Sequence, residues 1–149
     1  MRPIVVTALG LAALLAALVP GAQAQERQYV NGRSASDPNA PPFSGAVLAN
    51  NTLYVSGMLG LSGGQRPATA EEEARNVLES MRSTLEQAGM TMDDLVWVQV
   101  FASDLGDYGA FNQVYRTFFT REFPARAFVG AGSLLNGARF EVMGIAVRR

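Results

Sequence analysis

Apolar and polar positions alternate from Thr52 to Met58, "TLYVSGM": Leu53, Val55 and Gly57 fall on one side of an extended chain, Thr52, Tyr54 and Ser56 on the other. The run before it, Phe43 to Leu48, is also strand-like, and Ala49-Asn50-Asn51 between the two predicts a hairpin turn. The period then changes. After the glycine-rich stretch "GLSGGQRP", Val77, Met81, Thr84, Leu85 and Ala88 recur at helical spacing and predict a helix over about residues 70 to 88. Thr69 supplies an N-cap, and Glu71, Glu72 and Glu73 crowd the first turn, where the helix dipole favours negative charge. Gly89 ends the helix as a residue able to take the left-handed conformation does.

The segment 93–104, "DDLVWVQVFASD", returns to period two, with apolar residues on both faces, as in a strand covered on both sides. Asp107 is the predicted cap of a second helix, about 108 to 121, whose broad apolar face carries Tyr108, Phe111, Val114, Tyr115, Phe118 and Phe119. Trp97 and this Phe-rich helix read as core. A strand from Arg126 to Ala131, the loop "GSLLNGA" and a last strand, Arg139 to Val147, complete the chain. In the last strand Phe140, Val142, Gly144 and Ala146 oppose Glu141, Met143, Ile145 and Val147. The order strand, strand, helix, strand, helix, strand, strand describes an α+β layer with two helices on one face of a mixed sheet. No segment is left over to cover the other face, so a second subunit is expected there.

The N-terminal end reads differently. Met1 and Arg2 precede an apolar run from Ile4 to Val19, then Pro20, Gly21 and Ala22-Gln23-Ala24. That is the pattern of a secretory signal peptide covering residues 1–24, with a periplasmic or secreted product and no membrane attachment after cleavage. Residues 25–40 are polar and turn-rich and read as a flexible lead-in to a domain over 41–149. Cleavage leaves 125 of the 149 residues, enough for one domain with a core; it removes one charge, Arg2, and takes the net charge from −1 to −2. Nothing in that balance suggests a nucleic-acid partner.

The missing residue types narrow the chemistry further. The chain has no Cys and no His, and all 12 basic residues are Arg. Disulfides, thiol nucleophiles, histidine bases and lysine Schiff bases are therefore absent. What remains is Arg, carboxylates, Tyr, hydroxyls, backbone and water, which suits binding, orientation and water activation. No cofactor is called for. "GLSGGQRP" lacks the lysine and spacing of a P-loop and has no assigned phosphate role.

"LYVSGM", "DYGAFNQVYRTFF" followed by "FPARAFV", and "FEVMGIAV" resemble, in order and spacing, the signature segments of the RidA family (YjgF/YER057c/UK114). The resemblance covers about residues 41 to 149. It implies a chorismate-mutase-like α+β fold, a homotrimer with three clefts between subunits, and hydrolysis of 2-imino acids or their enamine tautomers to 2-keto acids and ammonia. It implies Arg126 as the carboxylate-binding residue, Glu141 as the holder of the attacking water, and a cleft lined by Phe43, Ser56, Gly57, Asn112 and the backbone around Phe128. Four positions depart from the family's commonest residues. Phe43 stands where many members have tyrosine, Met58 for glutamine, Phe128 for a small cysteine, and Met143 for a second glutamate.

Residue types alone leave bland alternatives open. Arg126 can be a surface charge or one half of an ion pair; Glu141 its partner, or an exposed acid; Asn112 a loop tether; Ser56 a turn hydroxyl bonding backbone. The second functional class is a non-catalytic trimeric binding protein for small carboxylates such as 2-keto acids.

Overall fold

The computed structural model describes residues 26–149; the stretch read as a signal peptide lies outside them. Six strands form one sheet: β1 (Arg27–Val30), β2 (Ala46–Ala49), β3 (Thr52–Leu59), β4 (Leu95–Ala102), β5 (Ala125–Gly130) and β6 (Phe140–Val147). Their order across the sheet is β1-β2-β3-β6-β4-β5. Every neighbouring pair is antiparallel except β4–β5, which is parallel. Two helices, α1 (Ala70–Gln87) and α2 (Tyr108–Tyr115), lie on one face. This is the α+β layer that the periodicities predict. Among the described residues no helix is long and apolar enough to cross a membrane.

The core is the slab between α1 and the sheet. Val77, Leu78, Met81 and Leu85 of α1 are fully buried, as are Leu53, Val98, Val100, Phe140 and Val142 of the strands beneath. The alternation expected for β6 holds along its whole length: Phe140, Val142, Gly144 and Ala146 are buried, while Glu141, Met143 and Ile145 are partly exposed and Val147 exposed.

Both ends of α1 follow the sequence. The Thr69 hydroxyl accepts from the Glu72 amide, and the Glu72 carboxylate accepts from the Thr69 amide, a reciprocal capping box. Gly89, just past the end, has φ 69°. Glu73 does something the helix dipole does not explain. It is fully buried and accepts from the amides of Arg139 and Phe140 and from Arg139 Nη1 at 3.1 Å. The Arg139 guanidinium also donates to the carbonyls of Pro67 and Ala68. One carboxylate thus fastens the first turn of α1 to the start of β6.

The structure corrects several expectations. Arg27–Val30, inside the segment read as a flexible lead-in, is an edge strand paired with β2. Only Val30 of its four residues is buried, so no apolar period marks it; main-chain pairing makes it a strand. The strand expected from Phe43 begins at Ala46, because Ser44 and Gly45 give their carbonyls to Ser56 and leave Phe43 outside the ladder. The second helix is regular only to Tyr115, then tightens into a 3-10 turn over Arg116–Phe118. Beyond it, the amide and hydroxyl of Thr120 donate to the Asp93 carboxylate, which draws the chain out of the helix. Asp107 makes no cap bond; its carboxylate lies 3.8 Å from Arg139 Nε.

Trp97 is not core. The register shifts between Leu95 and Trp97, so Leu95 and Val98 both turn toward the helices. Trp97, Gln99 and Phe101 face the opposite side and stay partly exposed. With Val47, Tyr54 and Ile145 they form an apolar face that no described residue covers.

Glu73→Ala removes the acceptor of two backbone amides and the buried half of the Arg139 ion pair, leaving the guanidinium with Asp107 and the carbonyls of Pro67 and Ala68. Breaking one partner of a buried ion pair typically costs about 3–5 kcal/mol. The expected outcome is a loss of that size in chemical denaturation for Glu73→Ala and for Arg139→Ala alike, since the second leaves a fully buried carboxylate without its counter-charge. Equal midpoints for wild type and Glu73→Ala would refute this role.

Candidate active site

Arg126 lies in β5, an edge strand, opposite the buried Val98 of β4, and so points to the helix side. There α2 receives it. Arg126 Nη2 donates to Asn112 Oδ1 at 2.6 Å. Its guanidinium carbon lies 4.5 Å from the centre of the Tyr115 ring, and 5.8–5.9 Å from the rings of Tyr108, Phe111 and Phe128. Among the described residues Arg126 has no carboxylate partner. A partly buried cation is held here by one amide oxygen and by aromatic faces. Asn112, one α-helical turn after Tyr108, orients the arginine, so its role is neither a loop tether nor independent of Arg126.

Asn112, Tyr115, Arg116, Phe123, Pro124 and Arg126 line a cavity of about 240 Å³ beside the guanidinium. Two arginines on its wall make it suited to an anion. Burial raises the Tyr115 hydroxyl to about 12, against the opposing pull of the Arg126 charge, so this phenol stays neutral and leaves the arginine uncompensated. The exposed Tyr108 hydroxyl moves the other way, lowered by its hydrogen bond with Asn112 and then by the charge of Arg126.

Glu141 is on the other side of the sheet. It pairs with Leu59 of β3 and Phe101 of β4 and points to the open face. It is therefore not the ion-pair partner of Arg126. Phe43, Ser56, Gly57, Leu59, Leu135, Glu141 and Met143 line a second cavity there, of about 530 Å³. A β-bulge builds its floor: Val55 pairs with Gly144 and Met58 with Val142, so Ser56 and Gly57 together oppose Met143. The Ser56 hydroxyl donates to the Ser44 carbonyl at 2.7 Å, which ties the bulge to the segment carrying Phe43. Ser56 thus both bonds backbone and lines the cavity. A Cβ on Gly57 would stand 2.1 Å from Glu141 Oε1, so only glycine leaves room for the carboxylate in this position.

Of the seven expected site residues, the structure brings Arg126 and Asn112 together on the helix side, and Phe43, Ser56, Gly57 and Glu141 together on the open side. Phe128 joins neither cavity with its side chain. Its ring packs edge-on against Tyr108 and Phe111 and beside Phe140, so it fills the core under Arg126. The bulge turns Met58 away from Glu141 toward α1, where Thr84 Oγ1 lies 4.0 Å from its sulfur. Met143, by contrast, lines the Glu141 cavity. The sequence reading missed Tyr115 and Leu135 as cavity residues. Tyr115 carried only the helical apolar period, and Leu135 sits in a loop whose shape depends on positive φ at Asn136 and Gly137. Among the described residues no group of three His, Cys, Asp or Glu could hold a metal ion.

Comparison with known proteins agrees with this arrangement of strands and helices. The sequence profile described as Endoribonuclease L-PSP matches residues 33–148. A Mus musculus protein named 2-iminobutanoate/2-iminopropanoate deaminase is 36% identical over 110 residues, 72% of this chain and 82% of the relative. The crystal structure of a Thermotoga maritima protein described as a putative endoribonuclease has a TM-score of 0.73 at 31% identity, covering 82% of this chain and 98% of that one. The structure of E. coli TdcF with bound serine has a TM-score of 0.71 at 28% identity, covering 84% of this chain and 98% of that one. With its signature segments in place on this fold, the chain belongs to the RidA (YjgF/YER057c/UK114) family.

Proposed function

We propose that this protein hydrolyses 2-imino acids, or their enamine tautomers, to 2-keto acids and ammonia, in a cleft shared by two protomers of a homotrimer. The observation that carries the reading is the opposition of Arg126 and Glu141 across one sheet. Side chains on opposite faces of a sheet cannot converge on one small molecule within a chain. They converge when the β5 edge of one protomer meets the open face of another. The uncovered apolar face carrying Tyr54, Trp97, Phe101 and Ile145 supports such an assembly. Deaminases of 2-imino acids among the relatives, and serine bound to TdcF, support a ligand built on a 2-amino-acid skeleton.

The chemistry asks little of the protein. The iminium carbon is already electrophilic. Arg126 anchors the carboxylate with its planar fork. Glu141 orients a water and takes one of its protons as the oxygen adds to C2. The carbinolamine then collapses: Glu141 returns its proton to nitrogen, the C2–N bond breaks as the hydroxyl oxygen forms the C=O bond and gives its own proton to Glu141, and ammonia leaves with a keto acid in place. No cofactor enters. Endoribonuclease activity finds little support in a chain of net charge −1 with no histidine. Export belongs to the same proposal: the N-terminal pattern supports removal of residues 1–24 and a periplasmic or secreted product.

Arg126→Ala and Arg126→Lys are expected to bind 2-keto acids more weakly by about 10- to 100-fold, since a hydrogen bond to a charged group contributes about 1.5–3 kcal/mol. Glu141→Gln is expected to bind normally and to lose about 10²–10⁴ in kcat. Co-expression of Arg126→Ala and Glu141→Gln chains is the decisive form of the test. If the site is shared, about one in four interfaces pairs an intact arginine with an intact glutamate, and activity returns. Mixed trimers as inactive as the parents would overturn the shared site. Wild type that binds keto acids without hydrolysing imines would make the protein a binding protein instead.

Gly57→Ala should push aside the flexible end of Glu141 rather than the backbone, giving a folded protein with turnover lowered as in Glu141→Gln. Undiminished turnover would show that this glutamate position does not matter. For export, intact-mass measurement on natively expressed protein should find a chain lacking its first 24 residues; a product retaining Met1 or Arg2 contradicts it.

A further inference from the structure

The cavity around Glu141 is apolar where it does not hold the carboxylate. Phe43, Leu59, Leu135 and Met143 form its walls. Two of them are unusually exposed for their size: Phe43 at 59% and Leu135 at 73%. Both are held at the rim by local backbone rather than by packing. Phe43 precedes the Ser44 carbonyl that Ser56 grips, and Leu135 precedes the left-handed pair Asn136 (φ 56°) and Gly137 (φ 70°). The volume, about 530 Å³, lies within the range of roughly 300–1,000 Å³ usual for small-ligand sites. Its polar groups are Glu141 and Ser56, and the Ser56 hydroxyl is committed to the Ser44 carbonyl.

Resting on the hydrolase reading above, we infer that this cavity selects imino acids with a bulky apolar side chain, of the leucine, methionine or phenylalanine kind, and that Phe43, Leu135 and Met143 form the side-chain subsite. With the carboxylate on Arg126 and C2 near the water on Glu141, the third substituent of C2 has these walls for surroundings. An acidic substituent meets the Glu141 charge. A cationic or amide substituent loses hydration with no free partner except that same catalytic carboxylate. A methyl group fills little of the space. Each further methylene taken from water into such surroundings contributes about fourfold in affinity. An isobutyl side chain is therefore favoured over methyl by about tenfold or more.

Two measurements separate this inference from the reading it rests on. Calorimetric titration of the full mature protein compares pyruvate with 4-methyl-2-oxopentanoate, which needs no turnover. Tighter binding of the branched acid by about tenfold or more is expected; equal or reversed affinities, or no binding of either, overturn the subsite. In parallel, imines generated in situ from alanine and leucine by an amino-acid oxidase are followed as keto acid. Preference in binding without hydrolysis of either keeps the subsite and removes the enzyme. Hydrolysis of both at equal kcat/KM keeps the enzyme and removes the subsite.

Leu135→Ser, at a highly exposed position, should fold and lose most of the preference for the branched acid. An unchanged preference overturns its role. A drop from trimer to monomer in light scattering without a change in preference assigns Leu135 to the subunit contact and also overturns it.

Discussion

The carboxylate of Glu73 is the contact on which the rest of the molecule depends. It leaves the first turn of α1, crosses to the sheet, and takes the amides of Arg139 and Phe140 at the start of β6. β6 lies between β3 and β4, so its starting point sets the register of both neighbours. A shift of one residue would send Phe140 out and Glu141 in. The charge of Arg139 then balances the buried carboxylate, and its bonds to Pro67 and Ala68 fix the loop that leads into α1. A buried acid with both oxygens bonded is an orienting device, since any other docking of the helix would leave it unpaired.

From that register follows the geometry of the site. Glu141, next to the anchored Phe140, must face away from the helices. The bulge at Ser56–Gly57 then bends β3 around it and clears space that a side chain at position 57 would fill. Arg126 belongs to the other side, over α2, where aromatic rings and Asn112 hold a guanidinium without neutralising it. A cation on one face and an acid on the other would, on the proposed reading, make each chain two half-sites. The apolar open face gives the physical drive for bringing such halves together, since burying it removes apolar surface from water.

Much of this was legible in the chain itself. The helix over 70–88 could be read from its period, its Thr69 cap and its terminal Gly89, because all three are local effects of backbone hydrogen bonding. The alternation in β6 was equally plain, and the absence of Cys, His and Lys reduced the possible chemistry before any fold was known. Trp97 was misread because a bulge is invisible to a strict two-residue period: one extra residue inverts the faces. β1 was missed because pairing, not patterning, makes it a strand. The second helix was drawn too long because the bond from Thr120 to Asp93 joins residues 27 apart in sequence.

The sequence by itself determined the elements, the layer they form and the kinds of groups available for chemistry, because propensity, capping and period act over a few residues. Tertiary structure alone decided that Glu73 is a buried staple rather than a dipole-facing surface acid, that Asn112 serves Arg126, and that Arg126 and Glu141 occupy opposite faces. Those facts depend on strand register and on which distant backbone amides meet a given carboxylate. Such contacts are settled only when the sheet is assembled and its bulges have set the parity of each side chain.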